Sequence, residues 1–64
     1  MIDARAIRLS LNLTQEQFAD RFDLSLHTVR QWEQGRRELR GPALILLRII
    51  QKMPDAVDQA LHAR

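Results

Sequence analysis

Five side chains, Leu26, His27, Arg30, Gln31 and Gln34, are spaced so that a helix would gather them on one face. At 100° per residue they fall within about 140° of one another, while Thr28, Val29 and Trp32 point the other way. The outward types suit the edges of base pairs. Arginine matches the two acceptors of guanine, glutamine matches the acceptor and donor of adenine, and Leu26 can cover a thymine methyl. An ordinary solvated helix face mixes in acids, whereas these five positions carry none and lead into Arg36, Arg37 and Arg40. Leu26, His27, Arg30 and Gln31 are therefore the expected base-reading residues of a double-stranded DNA ligand. Histidine also suggests metal or acid–base chemistry. Here the only other histidine is His62, cysteine is absent, and neither a third ligand nor a nucleophile accompanies the pair, so no metal site and no cofactor are expected. Trp32 shares the wheel face of Val29 and is read as core.

The elements that position this face follow from spacing and caps. Nothing alternates as a strand does, and apolar residues recur at three- and four-residue intervals, so the expected fold is all-α, a compact five-helix domain. A first helix runs about Asp3 to Leu11 behind an aspartate cap, and Asn12 ends it. Thr14-Gln15-Glu16-Gln17 is a capping box, and Leu13 with Phe18 forms a hydrophobic staple. Phe18, Ala19 and Phe22 make the buried stripe of the short helix that follows, which stops at Asp23. Ser25 caps the third helix, Leu24 and Val29 repeat the staple, and Gly35 closes it in the left-handed region. Pro42 suits the first turn of a fourth helix reaching about Lys52. Pro54 and Asp55 start a last one, with Val57, Ala60 and Leu61 facing inward.

Sixty-four residues form at most one domain, expected to span residues 1–64 with a helix-turn-helix over about 14–34. The net charge of +2 is modest, but its distribution is uneven: Arg30 to Arg40 holds four arginines and two glutamates, Glu16 to Asp23 three acids and one arginine. The start lacks a basic stretch followed by an apolar run, and no segment approaches the roughly 18 apolar residues of a membrane span. A soluble, unprocessed, cytoplasmic protein is expected.

Leu13-Thr-Gln-Glu-Gln-Phe-Ala, the turn ending in Ser25, and Val29-Arg-Gln-Trp-Glu-Gln-Gly35 together resemble the Cro and lambda-repressor (XRE) type helix-turn-helix family, over about residues 4 to 53. Within it, Trp32-Glu33 and Gly35 before a basic loop and Gly41-Pro42-Ala43 look like the small antitoxins and short autoregulators. The resemblance implies a lambda-repressor-like fold and a phosphate-holding Gln15 that braces the recognition helix. Thr14, Gln34, Arg36, Arg37 and Arg40 complete the expected phosphate set. It also implies a structural ion pair between Arg8 and Glu33, which would tie the first helix to the third beside the DNA backbone. Two positions depart from the family pattern: Asp23 stands where glycine is common, and Leu39 where the loop commonly carries proline.

Helix four is apolar on nearly every side, more than one core-facing stripe requires, so part of it is expected to meet another chain. A second copy is the economical partner, because operators are read as two half-sites by two-fold dimers. Leu46, Ile49, Ile50, Val57 and Leu61, on helices spanning about 42–63, are the expected homodimer interface. The expected function is a transcriptional regulator, a repressor or autorepressor on a palindromic operator. The alternative is an antitoxin that binds a toxin protein and regulates its own operon. An enzyme is not expected: the chain offers no paired carboxylates, no nucleophile with a base and no phosphate-cradling glycine loop.

Overall fold

The computed structural model describes residues 2–35 and 39–62. Arg36 and Arg37, two of the expected phosphate ligands, lie outside the described residues. Among those described, the regular elements are five helices with no strand: α1 Ala4–Ser10, α2 Gln15–Arg21, α3 Leu26–Gln34, α4 Gly41–Lys52 and α5 Pro54–His62.

Local chemistry sets the boundaries. The Asp3 carboxylate accepts the Ala6 N–H at the start of α1. At α2 the capping box closes in both directions: the Thr14 hydroxyl accepts the Gln17 N–H at 3.1 Å, and the Gln17 side chain accepts the Thr14 N–H at 2.9 Å. Phe22 caps the other end, one residue short of Asp23, which turns the chain at φ 55°. That left-handed geometry disfavours most side chains but is tolerated by aspartate, so the missing glycine does not alter the turn. The Leu24 N–H returns to the Ala19 carbonyl at 2.8 Å and fixes the angle at which α3 leaves. Ser25 then caps α3 by accepting the Thr28 N–H, and Gly35 ends it at φ 68°.

Eight apolar side chains form the core: Ala4 and Ile7 of α1, Phe18 and Ala19 of α2, Phe22, Val29 of α3, and Leu47 and Ile50 of α4. Phe18 and Phe22 meet edge to face, with ring centroids 4.9 Å apart. Trp32 packs against this core from the inner side of α3. α1 packs on α3 and α4, α2 on α3, and α5 on α4. α5 buries no side chain fully: Val57 packs against the core, but Ala60 and Leu61, expected to face inward, are exposed. What holds α5 to α2 is ionic. Arg21 donates through Nη2 to Asp58 at 2.8 Å and reaches Asp55 at 3.5 Å, its guanidinium 5.0 Å from the centre of the Phe22 ring.

Candidate nucleic-acid interface

The face of α3 opposite the core is open. His27, Arg30, Gln31 and Gln34 are exposed and Leu26 is half-buried, whereas Val29 is buried and Thr28 and Trp32 are half-buried. Four of the five outward positions are thus open to solvent, while Leu26 is half-buried like Thr28 and Trp32. None of the four exposed side chains has a hydrogen-bond or ion-pair partner among the described residues. Their donors and acceptors are free to meet a ligand, and no acid stands among them.

The rear of α3 is anchored by one carboxylate. Glu33 accepts from Arg8 twice, Nε to Oε2 at 2.7 Å and Nη2 to Oε1 at 2.9 Å, the parallel fork that guanidinium and carboxylate planes favour. A third donor comes from α2, Gln15 Nε2 to Oε1 at 3.3 Å. Arg8 directs a further donor, Nη1, to the Leu13 carbonyl at 2.9 Å. Side-chain exposures of 12% and 7% for Arg8 and Glu33 place the pair largely out of water. The Arg8 hydrogen bonds hold the Glu33 carboxyl below its ordinary range against the opposing effect of burial, with smaller help from Gln15 and from the charges of Arg8 and Arg5. Arg8 is raised in turn, first by its bond to Glu33. Three helices are thereby fastened at one residue of α3.

Beside this anchor, α1, α2 and α3 enclose a surface cleft lined by Arg5, Arg8, Gln15, Arg30, Glu33 and Gln34. It adjoins the reading face, because Arg30 and Gln34 belong to both. Thr14 and Gln15 stand at the start of α2, Thr14 engaged in the capping box and Gln15 in bracing Glu33. Arg40 is exposed at the cap of α4. Arg5 is not among the residues the sequence singles out, and neither are Arg21 and Asp58. Arg21 and Asp58 meet across the fold and Arg5 shares a cleft with residues of α2 and α3, neither of which local spacing signals.

The expected dimer interface needs one correction. Ile50 is wholly buried, at 0% exposure, and belongs to the domain's own core, so a partner could reach it only by opening the fold. Leu46 and Val57 are half-buried against that core, while Ile49 is 36% and Leu61 42% exposed. The apolar surface that faces solvent is instead Ile45 and Ile49, four residues apart on one side of α4, with Met53 exposed at the cap that ends the helix.

A short helix, a four-residue turn through a left-handed aspartate, and a second helix with a buried inner face and an acid-free outer face define a helix-turn-helix DNA-binding domain. A family model described as Helix-turn-helix matches residues 5–48, and the chain belongs to that family, in its XRE type, with the lambda-repressor-like all-α fold. It is similar to the Antitoxin HigA-2 of Vibrio cholerae, with 35% identity over 52 residues. The match takes in 81% of the chain and 50% of the relative, so the chain spans about half the length of the curated relative it matches. No solved structure matches it. The family supports DNA binding by this domain. No helix among the described residues is long and apolar enough to cross a membrane.

Proposed function

We propose that the chain is a cytoplasmic repressor or autorepressor that binds a palindromic operator as a homodimer. The observation that carries this reading is the acid-free, unpartnered outer face of α3, held rigidly by the Arg8–Glu33–Gln15 anchor. Leu26, His27, Arg30 and Gln31 read base edges in the major groove, Gln31 and Arg30 by paired hydrogen bonds. Thr14, Gln15, Gln34 and Arg40, with Arg36 and Arg37, hold the sugar–phosphate backbone and fix the register. Two copies joined through the exposed side of α4 and Leu61 of α5 present their recognition helices about 34 Å apart, one helical turn of DNA. No chemistry beyond binding is required of the domain, and it works as a regulator rather than an enzyme.

Selection from a random pool of duplexes about three helical turns long tests this reading. The enriched sequences should form an inverted repeat with half-site centres about 10 base pairs, or a multiple of one turn, apart. A pool that shows no enrichment would overturn it.

The relative's name supports a second reading, in which the chain neutralises a toxin and regulates its own operon. The apolar side of α4 then serves a partner protein. Co-expression with the product of the neighbouring reading frame separates the two: a stable complex that relieves growth arrest favours the antitoxin, and a chain that purifies only with itself favours the stand-alone repressor.

A further inference from the structure

Within the cleft between α1, α2 and α3 the charges do not balance. Arg8 is matched by Glu33, whose two oxygens already accept three hydrogen bonds. Arg5 and Arg30 line the same cleft and form no hydrogen bond or salt bridge to an acid among the described residues. Arg5 belongs to the cleft lining beside Glu33, and its charge adds slightly to keeping that carboxyl ionised. Its placement does nothing for its own helix: it occupies the first turn of α1, which contains no acid, and a cation there opposes the helix dipole. Three guanidinium groups and one carboxylate border this depression, so it carries a net positive charge that suits an oxyanion, and with Arg8 bound to Glu33 and Arg30 turned to the reading face, Arg5 is the one placed to meet it.

We propose that this cleft seats one backbone phosphate of each DNA half-site, and that Arg5 is a phosphate ligand supplied by α1, acting with Gln34 at the edge of the recognition helix. The proposal rests on the reading of α3 as the helix in the major groove. Arg30 and Gln34 border both the reading face and the cleft, so when α3 enters a groove about 12 Å wide the strand flanking that groove passes the cleft mouth. The oxyanion is a phosphodiester on this view, and α1 joins the interface beside the helix-turn-helix itself. Arg5 positions the protein and reads no base.

Salt titrations of wild type, Arg5→Ala and Arg5→Lys on a selected duplex and on its scrambled counterpart test the proposal. Arg5→Ala should weaken both duplexes alike and lower the slope of log affinity against log salt by about 0.9 for each phosphate no longer neutralised, so by about 1.8 for a dimer. Arg5→Lys should keep most of the slope, since the charge remains. The thermal midpoint should move little, because Arg5 is exposed and forms no hydrogen bond or salt bridge among the described residues. An Arg5→Ala slope equal to wild type overturns the proposal, as does a loss confined to the selected duplex. If wild type itself fails to prefer the selected duplex, the groove reading falls, and the slope on scrambled DNA still decides Arg5. Inorganic phosphate, titrated while the arginine Nε–H resonances are followed, distinguishes a soluble anion. The expected result is no saturable shift; saturation by phosphate alone, abolished in Arg5→Ala, would assign the cleft to a free anion and overturn the role in holding the DNA backbone.

Discussion

Replacing Glu33 by alanine should cost about 2–4 kcal/mol of folding free energy, more than an exposed pair and less than a fully buried one, because the pair is only partly shielded from water. The cost arises from what is left behind. Arg8, only 12% exposed, would keep its charge with no carboxylate to meet it, and the Gln15 amide would lose its acceptor. Marginal stability of about 0.05–0.15 kcal/mol per residue puts a domain of this size at roughly 3–10 kcal/mol in total, so the loss removes a large share of it and should lower the urea midpoint sharply. Glu33→Gln retains an acceptor but not the charge and should fall between. Urea unfolding measures both; a loss of under about 1 kcal/mol, the value of an exposed pair, would show that the anchor carries little.

The same residue sets a pH dependence. Its carboxyl lies below the ordinary carboxylate value in the folded state, so the unfolded chain binds more protons in the acid range and stability rises with pH there. The contribution is present above the unfolded pKa, near about 4.3, and is lost as pH falls through the lower folded value. Asp58 behaves in the same sense, lowered first by its bonds to Arg21. Glu33→Gln should therefore flatten the acid limb of a stability-versus-pH curve in part, with the share of Asp58 remaining.

Ile49→Asp should produce a folded monomer that binds its operator at least about 100-fold more weakly, because a dimer engages its second half-site intramolecularly and loses that advantage when split. Ile49 is 36% exposed and one side of α4 already meets water, so the domain can accept the charge. Across a two-fold axis, however, each interface would receive the aspartate twice, desolvated and facing its copy. Ile50→Asp provides the contrast: at 0% exposure its carboxylate would be buried without a partner, and the chain should not fold. Sedimentation equilibrium with circular dichroism separates the outcomes. An Ile49→Asp chain that still dimerises, or a wild type that stays monomeric even on a palindromic duplex, would place the interface elsewhere or abolish it.

The neighbouring residues 49 and 50 also show where sequence reading reaches its end. The helices, their caps and the two faces of α3 are legible because they depend on local spacing: the capping box at Thr14, the serine cap at Ser25, the left-handed stop at Gly35. The Arg8 and Glu33 pair spans 25 residues and has no local signature; only the family resemblance points to it. Arg5 is invisible for the same reason without that help, since it shares a cleft with Arg30 only through the way α1 packs on α3. In α4 the difficulty is of another kind. A helix apolar nearly all round gives no phase from which to tell the side its own domain covers from the side left open, and Ile50 falls on the covered side rather than the expected open one. α5 is read only in part: Val57 packs on the core as expected, Ala60 and Leu61 stay in solvent instead of turning inward, and the pairing of Arg21 with Asp58 spans 37 residues, beyond any local signal.

The most direct test of groove reading by α3 is the affinity of Gln31→Ala for a selected duplex and for a scrambled duplex of equal length. Gln31 is exposed, partnerless among the described residues and outside the core, so its removal leaves the fold intact. Base reading predicts a loss of about 1–3 kcal/mol on the selected duplex, little change on the scrambled one, and relaxed preference at one or two base pairs of each half-site. An equal loss on both duplexes would contradict it and leave the outer face of α3 touching the DNA backbone alone.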